Sequence, residues 1–145
     1  MTGAVIALVV KEPLIAIPAS FFSHLVCDAI PHFGVPEGKV FGRLFNYVLV
    51  GDFICAVIIM VILGFAFPQE RWIIWACMIA AASPDLMWAY YRLYDERVKN
   101  RQDVKLDRFS AFHSRIQWSQ TYKGAIIEVA WFILMAGLLV ALKHW

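Results

Sequence analysis

Residues 20–32, SFFSHLVCDAIPH, place a polar side chain at every fourth position of an otherwise apolar run. These side chains belong to Ser20, His24, Asp28 and His32. Because residues four apart on an α-helix lie one above the other on the same face, the spacing predicts a helix with a polar stripe. Imidazole and carboxylate groups are costly in hydrocarbon unless they are paired, hydrated or bound to a metal ion. The stripe is therefore expected to form one wall of a polar site that other segments complete.

The composition of the chain is typical of an integral membrane protein. Hydrophobic residues make up 61% of the 145 residues, whereas about 45–50% is usual in soluble domains. The length suits one domain covering residues 1–145. The three cysteines are widely spaced and form no CxxC pair, so we interpret them as small apolar side chains rather than zinc ligands.

The apolar runs predict an all-α, polytopic membrane protein with four transmembrane helices and an N-terminal half-helix or re-entrant helix. The first run, residues 3–10, is shorter than the roughly 20 residues that a span needs, and Lys11-Glu12-Pro13 interrupts it. We expect the spanning helices over about residues 13–30, 43–67, 71–94 and 122–142. Pro84 interrupts one of them, which a membrane tolerates where the backbone faces protein or a water-filled cavity.

The distribution of basic residues predicts the orientation of these helices. Four spans put the connections around residues 31–43 and 92–123 on one side of the membrane. That side holds ten of the thirteen Lys and Arg residues: Lys39, Arg43, Arg92, Arg97, Lys99, Arg101, Lys105, Arg108, Arg115 and Lys123. The positive-inside rule makes this side cytoplasmic in a multi-pass membrane protein. We attribute the basic segment to orientation and to anionic lipid headgroups, not to nucleic acid.

Most ionisable residues of the predicted spans and their cytoplasmic ends fall at similar depth. With a rise of about 1.5 Å per residue, they lie within roughly 15 Å of the cytoplasmic boundary. The group comprises His24, Asp28, His32, Asp52, Asp85, His113 and Glu128. A shared polar pocket that opens to the cytoplasmic side would explain this sorting.

Histidine and carboxylate side chains are ligands that suit zinc or manganese. We therefore predict a divalent metal site formed by His24, Asp28, His32, Asp85 and His113, and we leave out Ser20 because it is the deepest member of the stripe. Alternatives remain for each segment. His24 and Asp28 could be a hydrogen-bonded pair that only fixes helix packing, Asp85 could be a structural carboxylate hydrogen-bonded to backbone at the Pro84 break, and residues 112–118 could be an interfacial amphipathic helix.

Three further residues are candidates for catalysis. Asp52 or Glu128 could manage a proton, and Arg115 could bind the anionic part of a substrate through its planar fork of donors. The alternatives are that Asp52 orients a ligand histidine and that Glu128 is a structural partner of an arginine.

Three motifs together resemble a known group. HxxxDxxPH at residues 24–32, Pro84-Asp85 inside a helix, and FHxxIQW at residues 112–118 are similar to motifs of small bacterial membrane proteins related to the membrane-bound metal-dependent hydrolases. Those proteins typically open with a His a few residues ahead of a Thr-Gly and an apolar run; Thr2-Gly3 matches the Thr-Gly, whereas the His has no counterpart ahead of it in this sequence. The resemblance implies a helical inner-membrane protein with a metal-dependent hydrolase site.

The sequence thus favours a metal-dependent hydrolase that acts at the cytoplasmic leaflet on a lipid or phosphoester substrate. Its expected partners are membrane lipid and that amphiphilic substrate, and a homo-oligomer is left open. Two other classes fit the same residues. One is a transporter or channel element for metal ions or protons, and the other is a structural subunit whose polar cluster holds helices together.

Overall fold

The computed structural model describes residues 1–34, 43–94 and 106–144, apart from the side chain of Arg92. The described residues are helical and include no strand, which confirms the all-α prediction. The connections predicted at residues 35–42 and 95–105 lie outside the described residues. The helices are α1 (Thr2–Val10), α2 (Pro13–Ala29), α3 (Arg43–Ala66), α4 (Arg71–Ala82), α5 (Leu86–Tyr94), α6 (Arg108–Ile116) and α7 (Gly124–Lys143), and a 3-10 turn at Ser83–Asp85 joins α4 to α5.

Within the described ranges, three helical segments are long and apolar enough to cross a membrane, namely Arg43–Ala66, Arg71–Tyr91 and Gly124–Lys143. Only 11% of the most apolar part of α3, and the same share of α7, is buried inside the protein. Outward-facing side chains such as Phe65 and Ile126 are 84% and 74% exposed. Such a surface needs lipid around it. The chain is therefore a membrane protein, while α2, an apolar helix of 17 residues, is shorter than these three segments.

A tight turn joins α1 to α2 and packs them as a helical hairpin. Lys11 takes the left-handed conformation, with φ of 59°, and its N–H donates to the carbonyl of Ala7. This geometry ends α1. Glu12 then caps α2, and Pro13 occupies the first turn, where its missing N–H costs nothing. The short N-terminal helix predicted from the sequence is thus present as α1.

The core of the described structure is formed by α1, α2 and α4, which meet through small side chains. Ala4, Ala7 and Ala16 are fully buried beside Ile74 and Cys77. At Gly3 a Cβ atom would lie 2.6 Å from the carbonyl oxygen of Cys77, so only glycine permits this approach of α1 to α4. Small residues at such interfaces let helices pack closely in a membrane, where the hydrophobic effect does not drive them together.

The other two long helices are attached to this core by a few specific contacts. On α3, the carbonyl of Met60 accepts a 2.8 Å hydrogen bond from Trp75 Nε1. On α7, Trp131 Nε1 donates to Thr2 Oγ1 at 2.9 Å. Between these two helices and the elements α2, α4 and α5 lies a cavity of about 1000 Å³. Its wall carries the polar residues described next.

Candidate metal centre

The 3-10 turn in the α4–α5 segment positions the carboxylate of Asp85. Pro84 has no N–H to donate and cannot continue the α-helical ladder, so the chain tightens into a short turn there. The hydroxyl of Ser83 donates to the carbonyl of Ala80 at 2.8 Å and satisfies a group at the end of α4. The turn leaves Asp85 at the cavity, facing the polar stripe of α2.

Helix α6 brings the second histidine to the site. Asp107 caps its start, because Oδ1 accepts from the N–H groups of Phe109 at 2.8 Å and Ser110 at 3.1 Å. The helix is amphipathic: the side chain of His113 is fully buried, whereas Phe112 and Arg115 are exposed. The buried face of α6 packs against α2.

Four side chains from three segments converge at this point. His24 Nε2 lies 3.3 Å from Asp28 Oδ2 and 3.5 Å from Asp85 Oδ1. His113 Nε2 lies 2.5 Å from Asp28 Oδ2 and 4.0 Å from Asp85 Oδ1. One ligand atom from each of the four residues lies within 4.8 Å of the other three.

These separations can be compared with those that a metal ion requires. Ligands at about 2.0–2.1 Å from a tetrahedral zinc ion are about 3.3–3.4 Å from one another. The two distances from His24 match this value, and the other two, 2.5 and 4.0 Å, lie on either side of it. His24 Nε2 is inaccessible to solvent and has no hydrogen-bond partner among the described residues, although it points at two carboxylates. The four residues therefore fit a divalent ion.

Gln117 belongs to this site and was not predicted as part of it. Its Nε2 donates to Asp28 Oδ2 at 3.0 Å and lies 3.4 Å from His113 Nε2. Four residues separate Gln117 from His113, so helical spacing could have placed both on one face. The depth argument considered only ionisable groups, and a neutral amide gave it no signal.

Aromatic rings surround His113 on α6. The ring of Phe109 stacks on it with centroids 6.1 Å apart, and that of Trp88 lies at 6.3 Å. The His24 ring is 5.4 Å away. These neighbours keep water from the imidazole, which strengthens its interaction with Asp28 and with any bound cation.

The cavity also brings other predicted residues to the same wall. Asp52 from α3 and Glu128 from α7 line it together with His24, Asp28 and Asp85. A structure that directed these side chains to different faces or to lipid would have contradicted the shared pocket. Instead, all five face one cavity.

Two residues of the sequence-based proposal, His32 and Arg115, lie outside the group of four, as does Ser20, which that proposal left out. His32 lines the cavity, but its Nδ1 donates to the carbonyl of Ile30 at 2.8 Å because Pro31 has ended the helix. Arg115 is exposed on α6 and does not line the cavity. The hydroxyl of Ser20 donates to the carbonyl of Ala16 at 2.8 Å within α2, in keeping with its exclusion from the ligands.

Comparison of the chain with protein-family models, curated proteins and solved structures finds no match.

Proposed function

We propose that the chain is a membrane-embedded metal-dependent hydrolase that acts on an amphiphilic substrate. The observation that supports this proposal is the convergence of two imidazole nitrogens and two carboxylate oxygens within 4.8 Å, where His24, Asp28 and Asp85 line a largely apolar cavity and His113 is buried beside them. The ion would be zinc or manganese, held by His24, Asp28, Asp85 and His113.

A bound divalent ion would acidify a coordinated water and polarise the bond to be cleaved. The side chains of this chain supply the rest of the chemistry. Asp28 and Asp85 offset the charge of the ion, and Gln117 fixes the orientation of Asp28 through its 3.0 Å hydrogen bond. Asp52 or Glu128, on the cavity wall, accepts the proton that the attacking water loses and passes it to the leaving group.

The shape and lining of the cavity support an amphiphilic substrate, such as a lipid or a lipid-like phosphoester. Its volume of about 1000 Å³ is at the upper end of the roughly 300–1,000 Å³ usual for ligand pockets. Leu49, Phe53 and Ile59 of α3 line one part of the wall, and Ile127 and Phe132 of α7 line another. An acyl chain would lie among these residues while its polar end reaches the carboxylates. Because Arg115 lies outside the cavity, an anionic group of the substrate would be met by the metal ion instead.

The proposal includes a membrane arrangement with four spans, in which α2 joins the three longer segments. Seventeen residues at a rise of about 1.5 Å give a length of about 25 Å, somewhat less than the hydrocarbon thickness of about 30 Å. Local thinning of the bilayer accommodates a short span at modest cost. The basic connections would then be cytoplasmic in the bacterial inner membrane, and the motif likeness to the membrane-bound metal-dependent hydrolases belongs to the same proposal.

Metal analysis of the purified protein is the first test. We expect close to one equivalent of zinc or manganese in the wild type, and little in the His24→Ala variant. His144→Ala is the matched control, because His144 is an exposed histidine at the end of α7. Hydrolysis of a chromogenic long-chain ester or phosphoester should be lost with the metal. Wild-type protein that takes up no metal would refute the proposal and favour a cluster that only holds helices together.

Transport of a metal ion or of protons is a second candidate, favoured by the additional carboxylates of Asp52 and Glu128 on the cavity wall. A transporter would move zinc into proteoliposomes that contain a fluorescent zinc indicator. The hydrolase proposal expects no such uptake. Uptake that is lost in Glu128→Gln, without any hydrolysis, would favour the transporter.

A further inference from the structure

A cluster of hydrogen bonds joins the last turn of α5 to the first turn of α6. Tyr91 donates its hydroxyl to Asp107 Oδ2 at 2.8 Å, and the N–H of Asp107 donates back to the Tyr91 oxygen at 3.0 Å. The hydroxyl of Ser110 donates to the same carboxylate oxygen at 2.5 Å. Tyr91 is only 5% exposed and Ser110 only 1%. We call these three residues the clasp.

The clasp lies at the same sequence distance from two of the metal-ligand candidates. Asp85 precedes Tyr91 by six residues, and His113 follows Asp107 by six. At a rise of about 1.5 Å per residue, each arm is about 9 Å long. Two arms of equal length that are joined at one end bring their other ends together when they lie side by side. The Trp88 and His113 rings, one from each arm, are 6.3 Å apart, and His113 Nε2 is 4.0 Å from Asp85 Oδ1.

We propose that the clasp positions His113 against Asp85, so that Tyr91, Asp107 and Ser110 are positioning residues for metal binding. The consequence for metal binding rests on the proposed function, whereas the effect of the clasp on α6 does not.

A simple helix cap would not need this arrangement. Asp107 already caps α6 through Oδ1, which accepts two backbone N–H groups. Its second oxygen is used for Tyr91 and Ser110, and Tyr91 is 16 residues away in sequence. The bonds to Tyr91 therefore fix α6 relative to α5, which a cap cannot do.

Other contacts among the described residues also hold α6. The Phe109 ring lies 6.4 Å from the Phe21 ring of α2, and the His113 ring lies 6.3 Å from the Trp88 ring of α5. His113 and Gln117 reach Asp28. The contacts of His113 and Gln117 involve the site itself, whereas the clasp holds α6 through hydrogen bonds that use none of the metal-ligand candidates.

The test compares Tyr91→Phe, which removes one hydroxyl and keeps the ring, with Tyr90→Phe as the control. Tyr90 is the neighbouring tyrosine and is 60% exposed. Hydrogen exchange of the metal-free protein in detergent reports α6 directly. We expect amides of α6 to exchange at least about 10-fold faster in Tyr91→Phe, because the lost hydroxyl makes two hydrogen bonds with Asp107 and loss of the bond to the charged carboxylate alone corresponds to about that factor. Amides of α1, α2 and α4 should keep their rates.

Cobalt binding, followed by visible absorption, reports the ligand geometry. We expect the cobalt affinity of Tyr91→Phe to fall about 10-fold, in the range found for outer partners of metal ligands, with a changed absorption band. If Tyr91→Phe does not fold, Asp107→Asn is measured in its place.

Unchanged exchange in α6 would overturn the clasp. Faster exchange with unaltered cobalt affinity and spectrum would overturn its positioning role. Wild-type protein that binds no cobalt would refute the proposed function, and the clasp would then be judged by exchange alone.

Discussion

Replacement of Gln117 by methionine tests whether the polar cluster is a metal site or only a structural contact. Gln117 donates one hydrogen bond, at 3.0 Å, to Asp28 Oδ2. Methionine has nearly the same length and shape but cannot donate. Gln117 makes a second contact, at 3.4 Å to His113 Nε2, but this contact would be absent whenever that nitrogen binds a metal ion. The substitution therefore removes a single interaction with the carboxylate.

The size of the expected effect follows from that bond. A hydrogen bond to a charged group contributes about 1.5–3 kcal/mol, and each 1.36 kcal/mol is a factor of ten in a binding constant at about 25 °C. This corresponds to about 10–150-fold in metal affinity, and outer partners of metal ligands usually contribute about 10–100-fold. We expect the zinc affinity of Gln117→Met to fall within the latter range.

Competition with a chromophoric chelator measures the affinity in detergent. Gln69→Met is the control, because it makes the same chemical change at an exposed residue of the α3–α4 turn. Thermal unfolding in the presence of a strong chelator shows whether the contact between Gln117 and Asp28 stabilises the fold without metal, as distinct from supporting metal binding. A Gln117→Met variant with wild-type zinc affinity, but with a lower melting temperature in chelator, would refute the metal-site argument and favour a structural contact.

Three more predictions concern the core, the cavity and the clasp. Gly3→Val should lower the free energy of unfolding by about 1–3 kcal/mol, as overpacked cores do, because its Cβ meets the backbone of Cys77. Gly137→Ala should leave the free energy of unfolding unchanged, because a Cβ atom there meets nothing within 4 Å. Equal melting temperatures for the two variants would contradict the close packing of α1 against α4. Ile59→Trp should fill part of the cavity, so that a fluorescent acyl probe binds less tightly while the zinc affinity is unchanged. Loss of zinc binding as well would contradict the assignment of acyl binding and metal binding to different parts of the cavity. Hydrogen bonds from Ser110, and then from Tyr91, hold the pKa of Asp107 below its usual range. Since that pKa is lowered on folding, its stabilising contribution is present above the ordinary value of about 3.9 and is lost as pH falls through the lower folded value. The difference in stability between wild type and Asp107→Asn should therefore stay constant from neutral pH to about 5 and shrink only at lower pH. An NMR titration in which the Asp107 carboxyl has a midpoint at or above about 3.9 would contradict this prediction.

Much of the helix pattern could be predicted from the sequence, because the signals are local. Pro13 and Pro31 mark the limits of α2, and Pro84 marks the break before α5. The i, i+4 spacing of His24 and Asp28 placed both on one face. Charge asymmetry and depth then related seven residues of separate helices, and six of them line one cavity, while His113 is buried and does not line it.

The remaining features depend on how the helices meet, which periodicity does not determine. His32 continues the four-residue spacing but leaves the group of four ligands, because the helix ends before it and Nδ1 bonds to Ile30. Arg115 lies two residues from His113, and two residues on a helix turn a side chain by roughly 200°, away from the buried face. The bond between Tyr91 and Asp107 crosses 16 residues, and no local pattern connects a tyrosine in a predicted aromatic belt with an aspartate in a charged segment.

The 2.5 Å contact between His113 and Asp28 has a consequence for the way in which a metal ion enters. A carboxylate can only accept, so Nε2 of His113 carries hydrogen in the arrangement seen here. The same nitrogen must be bare to bind a metal ion. Loading therefore requires either release of a proton or a change of tautomer, with hydrogen moving to Nδ1, which has no partner among the described residues. Because the ring is fully buried, metal uptake requires this change in the position of a hydrogen atom to take place inside the site.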